Sequence, residues 1–145
     1  MGWGRGEALK LFFPIQGGDF TQAGIPSSEV KKVLKQLGID GKTIKNIVIA
    51  LYEAEVNVVA HAYRGTVNVE IDEHKITILV SDEGPGIADI ELAMQPGYST
   101  ASRKVREMGF GAGMGLPNIK KNTDEMLIES EVGKGTTVKM INYFE

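Results

Sequence analysis

Three polar residues, Glu53, Asn57 and His61, recur every four positions in a stretch that is otherwise mostly apolar. Steps of four advance about 400°, so on a helix the three share an arc of about 80°. An amide oxygen and a carboxylate one turn apart can share a hard divalent cation or its waters, the oxygen chemistry that Mg2+ requires. A solvent-facing helix edge is the plainer use of such a stripe. Glu55 projects about 200° from Glu53, toward the apolar side, and nothing in the pattern assigns it a role.

Further along, Asp82-Glu83-Gly84-Pro85-Gly86 sets a carboxylate at a strand end beside two spaced glycines. Such an acceptor next to sharply bending backbone suits a ligand carrying an exocyclic amine, although a simple turn has the same composition. Gly109-Phe110-Gly111-Ala112-Gly113-Met114-Gly115-Leu116 has glycine at every second position ahead of a short helix. Bare backbone there lets amide N–H groups and a helix N-terminus approach an anion; a flexible linker would look similar. Gly133-Lys134-Gly135-Thr136, taken alone, reads as a hairpin turn. Two other patterns are decoys. The GxGxxG within the glycine run lacks a preceding strand, since Arg103 to Met108 is polar and charged. The stretch ending Gly41-Lys42-Thr43 has Gln36 where a P-loop requires glycine.

The elements that must position these residues follow from hydrophobic periodicity. Leu9 to Ile15 is a strand ended by Gly17-Gly18-Asp19. Pro26-Ser27-Ser28-Glu29 supplies cap and first-turn chemistry for a helix carrying Val30, Val33, Leu34 and Leu37. A longer, largely buried helix spans about Gly41 to His61, with Ile44, Ile47, Val48, Leu51, Val58 and Ala62 on its apolar side. From Thr66 to Ser81 the period becomes 2, a β-hairpin turning at Asp72-Glu73-His74. The segment from Asp82 to Gly115 carries seven glycines and two prolines and only a short helical pattern at Ile90 to Met94, the profile of a functional lid or a disordered loop. A short helix at Leu116 to Asn122 precedes strands at Met126 to Glu131 and Thr136 to Phe144. The order predicts an α+β fold, helices on one face of a mostly antiparallel sheet.

Composition bounds the functions. A chain of 145 residues, 42% hydrophobic and 24% charged, has the size and make-up of one globular domain. Its net charge of −3 excludes a global basic field for nucleic acid or anionic membrane. With no cysteine there is no disulfide, thiolate catalysis or Cys-ligated zinc. No apolar run reaches the roughly 18 residues of a membrane span, and the start lacks a signal peptide's apolar region, so the expectation is a cytoplasmic protein. Residues 1–7 read as a flexible or vector-derived tail, with one domain over 8–145.

Taken in order, the four elements resemble the GHKL ATP-binding fold, also called the Bergerat fold. Glu53-x3-Asn57-x3-His61 is similar to its N box, Asp82-x-Gly84-x-Gly86 to its first glycine box, Gly111-x-Gly113-x-Gly115-Leu116 to its second, and Gly133-x-Gly135-Thr136 to its third. Within that superfamily the short length and the run Tyr52 to Tyr63 most resemble bacterial anti-sigma regulatory factors, the serine/threonine protein kinases of partner-switching systems. The likeness covers residues 8 to 144.

The resemblance implies a two-layer α/β sandwich with a mostly antiparallel mixed sheet, and an ATP lid over about residues 89–110. It implies ATP and Mg2+ as ligands. Asn57 would hold the metal, Glu53 would act as general base, Asp82 would accept from the adenine amino group and Thr136 would support it through water. Gly84 and Gly86 would floor the adenine pocket, and Gly111, Gly113, Gly115 and Leu116 would form the phosphate cradle. Arg103, Lys104 and Arg106 are candidates to sense the γ-phosphate, or a solvated charge run. His61 is equally a structural histidine. The implied activity is phosphorylation of a protein serine. The implied partner is an anti-anti-sigma-like protein, with a sigma factor and a homodimer left open. The alternative is a non-catalytic module that ATP gates to bind a signalling partner.

Overall fold

The first strand alternates its side chains, with Leu11, Phe13 and Ile15 turned toward the core and Phe12 exposed. The computed structural model of the chain describes residues 8–95 and 115–144. Within them β1 (Leu9–Gln16) is followed by a 3-10 turn at Phe20–Gln22, α1 (Ile25–Gln36), α2 (Gly41–His61), β2 (Arg64–Ile71) and β3 (Lys75–Glu83). Then come the one-turn α3 (Ile90–Ala93), α4 (Gly115–Lys121), β4 (Glu125–Glu131) and β5 (Gly135–Tyr143). The strand order is β1-β2-β3-β5-β4 and each pairing is antiparallel. The expected α+β sandwich is therefore present, and its sheet is antiparallel throughout the described residues.

Period-2 patterning puts Val67, Val69 and Ile71 of β2, Ile76, Ile78 and Val80 of β3, and Val138 and Met140 of β5 on one face, all buried. Asn68, Glu70 and Lys139 point to the opposite, exposed face. Against the apolar face lies α2, which buries Ile44, Ile47, Ala50, Leu51, Ala54, Val58 and Val59. Each large aliphatic side chain so buried contributes about 1.5–3 kcal/mol, which is why the long helix is fixed on the sheet. The helix starts at Asp40, whose side chain accepts from the Thr43 N–H at 3.0 Å. It stops where Ala62 turns extended and the Tyr63 N–H donates to the Glu83 carbonyl at 2.8 Å, leading the chain into β2. The turn between β2 and β3 is tied by Asp72 Oδ1, which accepts from the N–H groups of His74 and Lys75.

One local expectation is corrected. The Pro26-Ser27-Ser28-Glu29 segment forms the first turn of α1, as expected, and does not cap it: the N-cap is Gly24, in the left-handed region with φ +98°, and the one side chain of the segment that bonds there, Ser27 Oγ, donates to the Gly24 carbonyl and leaves the helix amides unfilled. Glu55 of α2 does that work. Its two carboxylate oxygens accept from the Gly24 N–H at 3.0 Å and the Ser27 N–H at 3.1 Å, in a residue only 1% exposed. The orphan amides of one helix are thus satisfied by an acid on its neighbour.

Candidate functional site

At one end of the site, α2 presents Glu53, Asn57 and His61, each half-buried, as the single polar stripe that their spacing predicts. Helix α4 crosses this stripe. A Cβ on Gly115 would lie 2.6 Å from Asn57 Oδ1, so any larger residue here would push the Asn57 amide out of its present place. Leu116 and Ile119, both buried, root α4 in the core and make the approach rigid. Asn118, one turn into α4, reaches back with its Nδ2 3.4 Å from Glu53 Oε1. Burial pushes the Glu53 carboxyl above its ordinary range and the Asn118 contact partly opposes this, so Glu53 is a stronger base than a surface glutamate. Burial pushes His61 down, toward its neutral form.

Among the described residues no three His, Cys, Asp or Glu side chains converge on a point that could hold a metal. The available donor is Asn57 beside Glu53, and such a sparse oxygen set fits Mg2+, which is usually held by one or two protein ligands, phosphate oxygens and water.

The other end is built where β3 leaves the sheet. Asp82 Oδ1 accepts from the Thr136 N–H at 3.0 Å, and desolvation raises its carboxyl above the usual range. The two loops around it are zipped together: the Gly84 N–H donates to the Lys134 carbonyl at 3.0 Å and the Gly133 N–H to the Pro85 carbonyl at 2.9 Å. Gly86 has φ +77° and a Cβ there would meet the Glu131 carbonyl oxygen at 2.4 Å, so conformation and space both demand glycine. The segments read as the first and third glycine boxes are therefore one structural unit.

Sequence reading missed two members of the site. Asn118 is one, and Ser130 is the other. Ser130 Oγ accepts from the Ile87 N–H at 2.7 Å, donates to the Gly135 carbonyl at 3.1 Å and lies 2.8 Å from Thr136 Oγ1. The signal for Ser130 was its place opposite Thr136 across the β4–β5 turn, which the hairpin register supplies. Asn118 falls two residues after Leu116, but only the crossing of α2 by α4 shows where it points.

The two ends meet at the end of α2. A Cβ on Gly84 would sit 3.0 Å from Ala62 Cα, and Ala62 lies five residues beyond Asn57, about 7.5 Å of helical rise. A carboxylate acceptor at one end and an amide, a base and close-packed glycine backbone at the other suit an elongated ligand with an amine head and an anionic tail. Asp82 also lines a cavity of about 810 Å3, whose walls include Phe13, Pro26, Glu55 and Val59; Glu53 and Asn57 do not reach it. Glu55 is committed to α1 and is no rival to Glu53. Of the expected lid, Asp89 caps α3 by accepting from the Leu92 N–H at 3.0 Å. Gly111, Gly113, Arg103, Lys104 and Arg106 lie outside the described residues.

A family model described as the histidine kinase-like ATPase domain matches residues 21–142. The anti-sigma F factor of Caldanaerobacter subterraneus subsp. tengcongensis is 42% identical over 105 residues, covering 69% of this chain and 70% of that protein. The serine/threonine-protein kinase RsbT of Bacillus subtilis (strain 168) is 32% identical over 117 residues, 78% of this chain and 82% of the relative. Among solved structures, the SiaB-SiaC complex from Pseudomonas aeruginosa contains a chain that superposes with a TM-score of 0.63 at 13% identity, over 94% of this chain and 92% of that one.

Proposed function

The chain belongs to the histidine kinase-like ATPase domain family, and from that premise we propose that it is an ATP- and Mg2+-dependent protein serine/threonine kinase of a partner-switching system. The observation that carries the reading is the placement of Glu53: half-buried, raised in pKa, one turn from Asn57 and within reach of Asn118. A ligand switch needs no such base beside its phosphate end. Relatives named as an anti-sigma F factor and as a serine/threonine-protein kinase favour a regulatory protein as substrate. A structural neighbour solved as a complex of two proteins favours a stable partner.

In this reading Asp82 accepts from the adenine amine with Thr136 in support, and Gly111, Gly113 and Gly115 would bring backbone N–H groups to the phosphates. Asn57 would hold Mg2+, which supplies charge neutralisation on the phosphates. Glu53 takes the proton from the seryl hydroxyl as its oxygen bonds to the γ-phosphorus and the bond from that phosphorus to the β-bridging oxygen breaks. Phosphoserine and ADP result. Phosphoryl transfer asks little covalent work of the protein, so positioning and electrostatics supply most of the rate.

The test is calorimetric ATP binding and phosphate transfer by the Glu53→Ala variant, measured side by side. Retained Mg·ATP binding with lost transfer is expected. Transfer at the wild-type rate overturns the role of Glu53, and nucleotide-dependent partner binding with no transfer in the wild type selects the ATP-gated binding module instead.

A further inference from the structure

The contact between Ser130 and Thr136 carries information beyond its own stability, because a hydroxyl has one hydrogen and two lone pairs. Ser130 Oγ spends its hydrogen on the Gly135 carbonyl at 3.1 Å and one lone pair on the Ile87 N–H at 2.7 Å. All three contacts are hydrogen bonds at once only when the Thr136 hydroxyl donates across the remaining 2.8 Å to Ser130 Oγ. Thr136 has no second hydrogen on its oxygen. What it offers a ligand is lone pairs only.

Asp82 works in the same sense. Its Oδ1 accepts from the Thr136 N–H at 3.0 Å, and among the described residues its other oxygen carries no hydrogen bond. Asp82 and Thr136 lie on the core-facing side of adjacent strands, where Ser81 pairs with Thr137. Two groups that only accept favour an exocyclic amine, which has two N–H donors, and oppose a carbonyl oxygen at the same position. We infer that Ser130 is a specificity-determining positioning residue: by holding the Thr136 hydroxyl as a donor to itself, it makes the base pocket accept a 6-amino purine and reject a 6-oxo purine. The inference rests on the proposed nucleotide reading and deepens it.

The experiment compares the affinities of ATP and ITP, which differ in the base only by amine against oxo at C6 and the accompanying proton at N1. Both are measured by calorimetry for the wild type, Ser130→Ala and Ser130→Thr, with thermal melts showing that each variant folds. The wild type is expected to prefer ATP by tenfold or more. Ser130→Ala frees the Thr136 hydroxyl to turn and donate to the 6-oxo group, so the ATP/ITP ratio narrows by about three- to tenfold, with ITP binding more tightly than to the wild type. Ser130→Thr, which keeps the hydroxyl, restores the ratio. A merely structural serine would weaken both nucleotides in parallel, and an unchanged ratio in Ser130→Ala overturns the inference, as does a wild type that binds ATP and ITP equally. A wild type that binds neither overturns the nucleotide reading itself and the inference with it, an outcome distinct from the other two.

Discussion

Glu53 and Asp82 are both carboxylates raised by desolvation, yet the raised pKa serves them differently. At Glu53 it strengthens a base. Replacing Glu53 by Ala is expected to slow phosphate transfer by about 10²–10⁴-fold while ATP affinity changes little. Because the base must be ionised, transfer should fall as pH drops through the Glu53 pKa, and this acid limb should lie above the ordinary glutamate range; an acid limb at or below that range would show that Glu53 is not the base. At Asp82 the critical property is the number of acceptors. Thr136 already occupies one oxygen, so in Asp82→Asn the amide oxygen stays on the Thr136 N–H and an NH2 group confronts the ligand amine. Loss of one charged hydrogen bond is worth about 1.5–3 kcal/mol, so ATP affinity should fall about 10- to 150-fold with the fold intact. Calorimetric titration of the variant checks this, and undiminished affinity would remove the adenine assignment. These carboxylates were legible in the sequence because each sits in a spaced motif. Ser130 and Asn118 were not, since a single hydroxyl or amide acquires meaning only from the register and helix crossing that bring it to a partner.

Helix α1 shows what periodicity leaves out. Its apolar positions were plain from Val30 to Leu37, but the residue that satisfies its first amides, Glu55, lies 28 positions beyond Ser27 on α2. Burial pushes the Glu55 carboxyl from 4.5 up to about 7, even though the two amide hydrogen bonds pull the other way. The folded state therefore binds this proton more tightly than the unfolded chain. The contribution is fully present below about pH 4.5 and is lost as pH rises through about 7, up to on the order of 3 kcal/mol. Thermal melts at about pH 5.5 and 8.5 should show the wild type less stable at the higher pH, and Glu55→Gln, which keeps one acceptor and cannot ionise, should flatten that difference. An equal pH dependence in both proteins would show that Glu55 is not the group responsible. In α2 the apolar face was legible and its energetic weight follows: Ile47 is fully buried, and Ile47→Ala should cost about 2–5 kcal/mol by chemical denaturation. A cost under 1 kcal/mol would mean that α2 is not seated as described.

On the scale of the whole molecule, the sheet and α2 together make one platform with two ends. β3 and β5 carry Asp82 and Thr136, α2 and α4 carry Glu53, Asn57 and Asn118, and Ala62 joins them by packing on Gly84. Element order and type were readable because each strand alternates and each helix repeats its apolar face. The meeting of Asp82 with Thr136 came from the family resemblance alone, because the β3–β5 pairing that brings these distant segments together leaves no mark in local periodicity. The glycine boxes mattered for close approach as much as for conformational freedom: Gly115 must clear Asn57, and Gly86 must clear the Glu131 carbonyl. The most direct measurement is incubation of the purified protein with Mg2+, ATP radiolabelled on its γ-phosphate and the proteins encoded beside its gene, followed by identification of the labelled residue. Label on a serine of one of those proteins, lost when Glu53→Ala replaces the wild type, is the expected result. Absence of label from every partner while ATP is bound, or labelling that persists undiminished in Glu53→Ala, would contradict it.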